Sequence, residues 1–396
     1  MKRRDFLAST GLAAAASSMV APAHAQGASI KIGLLTTLSG PSAGLGRETV
    51  DGFNLGLKTA GGKLGGLTVE LVTADDQLKP DIGKATAERM VQRDRVDIMT
   101  GVVFSNVMLA ISDTVLKDRR GVFYLSSNAG PSELAGRDCH PNFFSVSWQN
   151  DNTHEAMGEH MSKAGIKRAY LLAPNYPAGK DALTGVKRYF KGEIVGEVYT
   201  QLGQTDYAAE LAALRAARPE ATYFFYPGGM GIAFVRQYAA AGLVQQIPVF
   251  GPSFSLDQTI LPAIGDAALG LYSSTFWSEK LENAANVKFV ADFEAAYNRI
   301  PSPYAAQAFD TAMLLDAALR QAGGLANKDK FREALRAANF ASVRGPFKFN
   351  RNHFPVQNYY LTQIQKDGRG RLVNELRGVI FSSHADVYAG QCRMKI

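Results

Sequence analysis

Residues 121–134 read Gly-Val-Phe-Tyr-Leu-Ser-Ser-Asn-Ala-Gly-Pro-Ser-Glu-Leu, and residues 139–151 read Cys-His-Pro-Asn-Phe-Phe-Ser-Val-Ser-Trp-Gln-Asn-Asp. These two segments indicate the fold most clearly. The first opens with a short apolar run typical of a buried parallel strand. Small and polar residues, 126–130, follow that run, and open α/β sheets bind ligands just past the carboxyl ends of their strands. A second extended run, Phe143 to Trp148, precedes a helical pattern that starts at Asn150. We interpret this second run as a crossing from one lobe to another.

Strands and helices alternate on both sides of this stretch. Alternation at this spacing is typical of βαβ units, with parallel sheets and right-handed crossovers. A chain of 396 residues is also too long for one ordinary core and suits two lobes. Helical patterns at 286–297 and 303–322 follow the second set of strands, and the sequence alone does not decide which lobe they join. The apolar runs lie at 30–35, 68–72, 96–99, 122–125, 169–173, 194–198, 222–225, 248–251 and 271–275.

The first 25 residues carry the three parts of an export signal. Lys2-Arg3-Arg4-Asp5-Phe6-Leu7 is a basic start with a twin-arginine motif, and residues 12–20 form an apolar run too short to span a bilayer. Ala23-His24-Ala25 has the small-x-small pattern of a cleavage site. We expect a twin-arginine signal peptide at 1–25, cleaved after Ala25, and a periplasmic location. The alternative is a slightly apolar N-terminus that stays attached.

Composition disfavours several function classes. The net charge is +7, but no long basic run occurs, which disfavours nucleic-acid binding. Gly44-Leu45-Gly46 lacks the third glycine of a dinucleotide-binding fingerprint, and no Walker motif occurs. His154 and His160 are six residues apart, so they do not share one helix face, and no cluster has zinc-ligand spacing. The sequence therefore predicts neither a cofactor nor a metal.

Gly40-Pro41-Ser42-Ala43-Gly44 matches the G-x-S-x-G pattern and lies between a strand and a helix. A nucleophile at Ser42 would also need an acid and then a histidine downstream. His353 and His384 are available, but neither has a local setting that singles it out. A periplasmic serine hydrolase using Ser42 is thus the alternative from another class, and we predict that the protein is not an enzyme.

The chain has two cysteines, Cys139 and Cys392. In an oxidising compartment two cysteines favour one disulfide, which would tie the C-terminal tail to the lobe crossing. Two free thiols are the alternative.

Polar loops follow several predicted strands and together suggest a binding cleft. Ser105 and Asn106 follow the third strand, and residues 126–128 follow the fourth. Polar groups on one wall with aromatic groups on the other are typical of a small-molecule cleft. Ser126 and Asn106 are also good helix caps, which is the alternative role for them. The facing loops of the second lobe are Asn175-Tyr176, Tyr226-Pro227-Gly228-Gly229 and Gly251-Pro252-Ser253-Phe254.

On these motifs, with Leu38-Ser39-Gly40-Pro41, 101–105, 126–134 and 174–179, the chain resembles the type I periplasmic solute-binding proteins of the branched-chain amino-acid ABC transport family. The resemblance implies an α/β fold of two Rossmann-like lobes with parallel central sheets, joined by a three-strand hinge. It assigns 27–147 plus 278–353 to lobe 1, and 148–277 plus 354–396 to lobe 2. A Cys139–Cys392 bond would then lie beside the hinge.

The resemblance also implies a ligand site. Ser105 and the backbone around Asn128 to Gly130 would hold the ligand's carboxylate. Amino-acid binders usually have a threonine at the Gly130 position and a glutamate at the Ser253 position, and both help to hold the ammonium. Neither is present here, and a buried ammonium without a counter-charge is costly, so we expect a carboxylate without an α-amino group. The expected ligand-binding residues are Leu45, Phe104, Ser105, Ser127, Asn128, Ala129, Gly130, Tyr176, Tyr226, Ser253 and Phe254.

Residues 141–151 and 173–181 resemble a subgroup that binds aromatic carboxylates such as benzoate or hydroxycinnamate derivatives. The predicted function is that of a monomeric periplasmic substrate-binding protein. It would capture such an acid by hinge closure and deliver it to an inner-membrane ABC permease. A branched-chain or other aliphatic amino acid is the alternative ligand. A sensory domain that feeds a signalling partner also stays open.

Overall fold

A computed structural model describes residues 29–395, so the predicted signal peptide and its cleavage site lie outside the described residues. The strands are β1 Ser29–Thr36, β2 Lys63–Leu64, β3 Leu67–Asp75, β4 Ile98–Gly101, β5 Phe123–Ser126, β6 Phe143–Ser145, β7 Arg168–Pro174, β8 Glu193–Thr200, β9 Ala221–Phe224, β10 Val249–Pro252, β11 Tyr272–Thr275, β12 Lys348–Phe349, β13 Pro355–Lys366 and β14 Leu372–His384. The helices are α1 Ala43–Thr59, α2 Pro80–Glu88, α3 Ser105–Leu116, α4 Ser132–Ala135, α5 Asn152–Lys163, α6 Pro177–Tyr189, α7 Ala208–Ala217, α8 Gly229–Ala240, α9 Leu261–Ile264, α10 Ala284–Tyr297, α11 Pro303–Ala322 and α12 Lys328–Ala337. None of these helices combines the length and apolar composition needed to cross a bilayer.

The first sheet has the strand order β2-β3-β1-β4-β5-β6, and all neighbours are parallel except β2 and β3. Its central strands are buried on both faces, which explains their continuous apolar sequences. The late helix α11 packs against α1 on this sheet. Gly52 permits the contact, because a Cβ there would lie 2.1 Å from the backbone oxygen of Ala305.

The second sheet runs β8-β7-β9-β10-β11 in parallel, and β13 then pairs antiparallel to β11. The long hairpin partner β14 extends the sheet beyond β13. The chain passes between the two sheets three times: after β6, after β11, and between α12 and β13. The predicted α/β fold of two lobes with parallel sheets is confirmed, while the lobe boundaries at 148, 278 and 354 stay predictions.

A buried arginine holds two of the crossings together. Arg344, which follows α12, donates a hydrogen bond to Asp310 Oδ2 on α11 at 2.9 Å, and both side chains are inaccessible to water. Its Nη1 also donates to the backbone oxygen of Ser147 in the first crossing at 2.9 Å and to Gln357 Oε1 on β13 at 3.0 Å. Loss of one partner of such a pair leaves a buried charge, which typically costs 3–5 kcal/mol.

The predicted disulfide between Cys139 and Cys392 is present, with the two Cα atoms 5.6 Å apart. It fixes the C-terminal tail to the loop between α4 and β6. In the same tail, the Tyr388 hydroxyl donates a hydrogen bond to Asp151 Oδ2 at 2.8 Å, at the start of α5. The tail therefore contacts elements attached to both sheets.

Replacing both cysteines (Cys139→Ser with Cys392→Ser) should lower the free energy of unfolding by about 2–5 kcal/mol, because the bond closes a loop with a sequence separation of 253. Differential scanning calorimetry should show a fall of several degrees in Tm. A reductant should produce the same fall in the wild type and none in the double variant. A double variant that melts with the wild type would contradict this account.

Candidate functional site

A narrow cleft lies where the carboxyl ends of the two sheets face each other. The free volume between its walls is about 10 Å³, roughly enough for one water molecule. The loop after β4, the loop after β5 and the start of α11 supply one wall, the loops after β7, β9 and β10 supply the other, and the first crossing forms part of both. The twelve lining residues are Val103, Phe104, Ser105, Asn128, Trp148, Asn150, Tyr176, Ala178, Phe225, Pro227, Phe254 and Tyr304.

Aromatic rings form most of the cleft surface. Trp148 and Phe254 have ring centroids 4.3 Å apart, and Phe254 also meets Tyr304 at 5.3 Å. Tyr176 lies 6.3 Å from Phe225 in a stacked arrangement. These separations are typical of favourable aromatic pairs. The lining therefore offers mainly apolar aromatic surface.

One end of the cleft offers unused hydrogen-bond donors. Ser105 is the first residue of the twelve-residue helix α3, which has no side-chain N-cap. The N–H groups of a first helical turn have no intrahelical acceptor, and the helix dipole favours negative charge there. Ser105 Oγ accepts a hydrogen bond from Asn150 Nδ2 at 3.0 Å and donates to none of the described residues, so its proton is free for a ligand. This end of the cleft suits an oxyanion.

Asn150 connects that end of the cleft to both lobes. Its Oδ1 accepts from the backbone N–H of Gly130 at 3.0 Å, and its Nδ2 donates to Asp181 Oδ2 on α6 at 2.9 Å. Asp181 also accepts from Ser132 at the start of α4, from the hydroxyl at 2.9 Å and from the backbone N–H at 3.2 Å. We call Ser105, Gly130, Ser132, Asn150 and Asp181 the interlobe junction, because its hydrogen bonds join elements of both sheets.

Asp181 is the titratable group of the interlobe junction. Burial, and then the nearby carboxylate of Asp151, raise the pKa of Asp181 to about 7, against the hydrogen bonds from Asn150 and Ser132. Its carboxyl group is therefore poised between the neutral and the charged form near neutral pH.

None of the twelve lining residues has a charged side chain. Gly130, beside the cleft, has no room for any side chain, because a Cβ there would lie 2.1 Å from the backbone oxygen of Trp148. A threonine at this position would therefore displace the first crossing. Ser253 is buried, and its Oγ has no partner among the described residues.

Five of the predicted site residues line the cleft: Phe104, Ser105, Asn128, Tyr176 and Phe254. Leu45 lies at its margin, where a Cβ on Gly228 would be 3.4 Å from Leu45 Cδ1. The start of α1 therefore lies close to the loop after β9.

The other predicted residues lie beside the cleft surface. Ser127 Oγ donates to the backbone oxygen of Gly101 at 3.0 Å, and the Ala129 N–H donates to Val102 at 3.3 Å. Since the Gly130 N–H donates to Asn150, neither Ala129 nor Gly130 offers a free amide. Tyr226 packs inside the second lobe, 4.8 Å from Tyr207 between ring centroids.

Seven lining residues were not among the predicted ligand contacts. Trp148 belongs to the run interpreted as a crossing, Asn150 to the start of the helical pattern that follows it, and Pro227 to a loop quoted as facing the cleft. The sequence analysis had therefore drawn attention to the segments of these three residues. Tyr304 lies on α11, where the surrounding sequence does not indicate a binding site. The missed residues are Val103, Trp148, Asn150, Ala178, Phe225, Pro227 and Tyr304.

Ser42 caps α1 and, within residues 29–395, makes no hydrogen bond to a histidine. The two histidines considered for a triad are bonded elsewhere: His353 Nδ1 meets the backbone oxygen of Phe143 at 3.0 Å, and His384 Nε2 meets Glu155 Oε2 at 2.6 Å. In the same residues, no three His, Cys, Asp or Glu side chains are grouped to hold a metal ion.

Known proteins share this architecture over most of its length. A solute-binding protein of an ABC transporter from R. palustris, solved in complex with benzoate, is 34% identical; the match covers 92% of this chain and 100% of that one, with a TM-score of 0.86. A solute-binding protein from Rhodopseudomonas palustris BisB5, in complex with 3,4-dihydroxy benzoic acid, is 29% identical, with 91% and 99% coverage and a TM-score of 0.83. A Leu/Ile/Val-binding protein homolog from Brucella melitensis is 25% identical over 358 residues, which is 87% of this chain and 90% of the relative.

The model of the family described as periplasmic binding protein matches residues 29–369, which is most of the chain. The predicted resemblance is thereby confirmed. Together with the two-lobe fold and the interlobe cleft, this match shows that the chain belongs to the periplasmic binding protein family, as a solute-binding protein of the ABC transporter type.

Proposed function

We propose that this protein captures a small aromatic carboxylate and delivers it to an inner-membrane ABC permease, as a monomer and without catalysis. The observation that carries the proposal is an uncharged aromatic cleft with a free hydroxyl and a helix N-terminus at one end. Such a cleft matches a flat ring that bears one anionic group. The benzoate and dihydroxybenzoate ligands of the two R. palustris relatives support this ligand class.

The carboxylate would bind at the N-terminus of α3. Ser105 Oγ would donate to one carboxylate oxygen, and the first-turn amides of α3 would donate to the carboxylate as well. Hydrogen bonds to a charged group contribute about 1.5–3 kcal/mol each. The ring would then extend between Phe104, Tyr176 and Phe254, the predicted aromatic contacts.

An α-amino acid fits this cleft less well. Its ammonium would be buried among uncharged side chains, where a charge without a partner is costly. The Leu/Ile/Val-binding homolog from Brucella keeps a branched-chain amino acid as the second candidate ligand. The hydrolase alternative lacks support, because Ser42 has no histidine partner among the described residues.

Closure would follow from contacts that both lobes make with the ligand. The ligand would bind Ser105, at the start of α3. Asp181 on α6 would accept hydrogen bonds from Asn150 and Ser132 and so keep the second lobe against the first. Opening the cleft would break the hydrogen bonds from Ser132 to Asp181, since these residues are attached to different sheets. The closed form would be the one that the permease recognises.

A thermal-shift screen tests the ligand class. At a hundredfold its Kd, a ligand stabilises the folded state by about 2.7 kcal/mol, which is a shift of a few degrees for a chain of this size. Benzoate-type acids should raise the Tm of the protein, and leucine should leave it unchanged. A rise with leucine and none with the aromatic acids would contradict the proposal.

Ser105→Ala should lower the affinity for the aromatic acid by about tenfold or more, because the carboxylate loses a hydrogen bond. Isothermal titration calorimetry would measure the change. Ser112→Ala is the matched control, since Ser112 lies on the same helix and donates to the backbone oxygen of Leu109 at 3.0 Å. Equal affinities of the Ser105 and Ser112 variants would argue against a carboxylate at α3.

Asp181→Ala should also weaken binding by about tenfold, although Asp181 is not a lining residue, because the closed form loses the hydrogen bonds that Asn150 and Ser132 donate to its carboxyl group. Stopped-flow fluorescence should locate the change mainly in faster ligand release. Asp113→Ala is the control, since Asp113 is exposed on α3 and pairs with Lys117 at 2.7 Å. Wild-type release rates in the Asp181 variant would rule out its role in closure.

A further inference from the structure

Trp148 has a hydrogen-bonding capacity that the protein does not use. It lines the cleft, and its Nε1–H is fully buried without a partner. Among the described lining residues, it is the one with a fully buried polar side-chain atom that has no hydrogen bond. A buried donor without an acceptor is destabilising, so a donor in this position calls for an acceptor from outside the protein.

Two further unpaired polar atoms lie near this indole. Ser253 Oγ is buried without a partner and belongs to the residue next to Phe254, whose ring is 4.3 Å from that of Trp148. His154 Nε2 is also unpaired, and its ring packs 5.6 Å from Trp148 and 4.9 Å from Phe225. Trp148 lines the cleft, whereas Ser253 and His154 lie outside its lining, beside the rings that pack together there. The free Ser105 hydroxyl marks the N-terminus of α3.

These groups are neutral. Burial lowers the pKa of His154 to about 3, so its imidazole is uncharged at physiological pH. An indole N–H is a donor without acceptor capacity, while a serine hydroxyl both donates and accepts. A phenolic hydroxyl matches this set, because its oxygen accepts from Trp148 and its proton can be donated to Ser253. A second carboxylate or an ammonium would bring a charge that nothing there balances.

We propose that Trp148 and Ser253 form a second polar subsite, which selects aromatic acids that carry a ring hydroxyl. The inference rests on the proposed function, because it assumes an aromatic carboxylate in the cleft. It goes beyond that function by assigning substituent specificity to two named side chains. His154 positions the Trp148 ring and keeps the surroundings uncharged.

The test is calorimetric titration of the protein with benzoate, 3-hydroxybenzoate and 4-hydroxybenzoate. At least one hydroxylated acid should bind about tenfold more tightly than benzoate, the effect of one or two net hydrogen bonds. Trp148→Phe keeps an aromatic ring and removes the N–H, so it should bring this affinity ratio close to one. Ser253→Ala should reduce the ratio too and serves as the second variant if the tryptophan variant does not fold.

Phe254→Leu is the matched control. It should weaken binding of all three acids by a similar factor and keep the ratio, because it removes ring contact and no hydrogen-bonding group. Benzoate binding as tightly as both hydroxylated acids, or an unchanged ratio in the Trp148 and Ser253 variants, would overturn the inference and leave the proposed function standing. Failure of all three acids to bind would overturn the proposed function itself, and the inference with it.

Discussion

The side-chain amide of Asn150 is the contact on which the cleft depends. One N–H is donated to Ser105 and one to Asp181, and its oxygen accepts from Gly130. Ser105 Oγ accepts a hydrogen bond from Asn150, so its hydroxyl proton points away from that amide. No described residue accepts this proton, which leaves it available to a ligand in the cleft. The same amide therefore orients the Ser105 hydroxyl that would donate to the ligand, and it links the first lobe to α6. Ligand binding and lobe closure would therefore both depend on Asn150. The crossing that carries it is also bound by Arg344, which pairs with the buried Asp310 and donates to the backbone oxygen of Ser147.

The two-lobe fold could be predicted because strand and helix periods alternate so regularly in this chain. Helix α1 shows where that method fails. It begins at Ala43, inside the Gly40–Gly44 motif that the sequence analysis placed between a strand and a helix. Gly46 is needed for packing, since a Cβ there would lie 1.9 Å from the backbone oxygen of Thr37. The sequence does not distinguish a glycine that allows a helix to approach a strand from a glycine that permits a turn. The tertiary contact is needed to tell them apart.

The cleft was predictable in position but only partly in its residues. Loops at the carboxyl ends of strands led to Ser105, Tyr176 and Phe254, and the family resemblance implied Phe104; all four line the cleft. In the loop after β9, Tyr226 was the expected ligand contact, whereas its neighbour Phe225 lines the cleft. Adjacent extended residues point in opposite directions, and sequence alone does not fix which of the two faces the ligand. Tyr304 was beyond prediction, because α11 reaches the cleft only through its packing on α1.

A crystal structure of the protein grown with benzoate would show directly where the carboxylate of an aromatic acid binds. We predict that a carboxylate oxygen lies about 2.5–3.2 Å from Ser105 Oγ and from a first-turn amide of α3. The ring should lie between Phe104, Tyr176 and Phe254. A carboxylate turned away from α3, or a cleft occupied by an amino acid in preference to benzoate, would contradict the assignment of this cleft to aromatic acids.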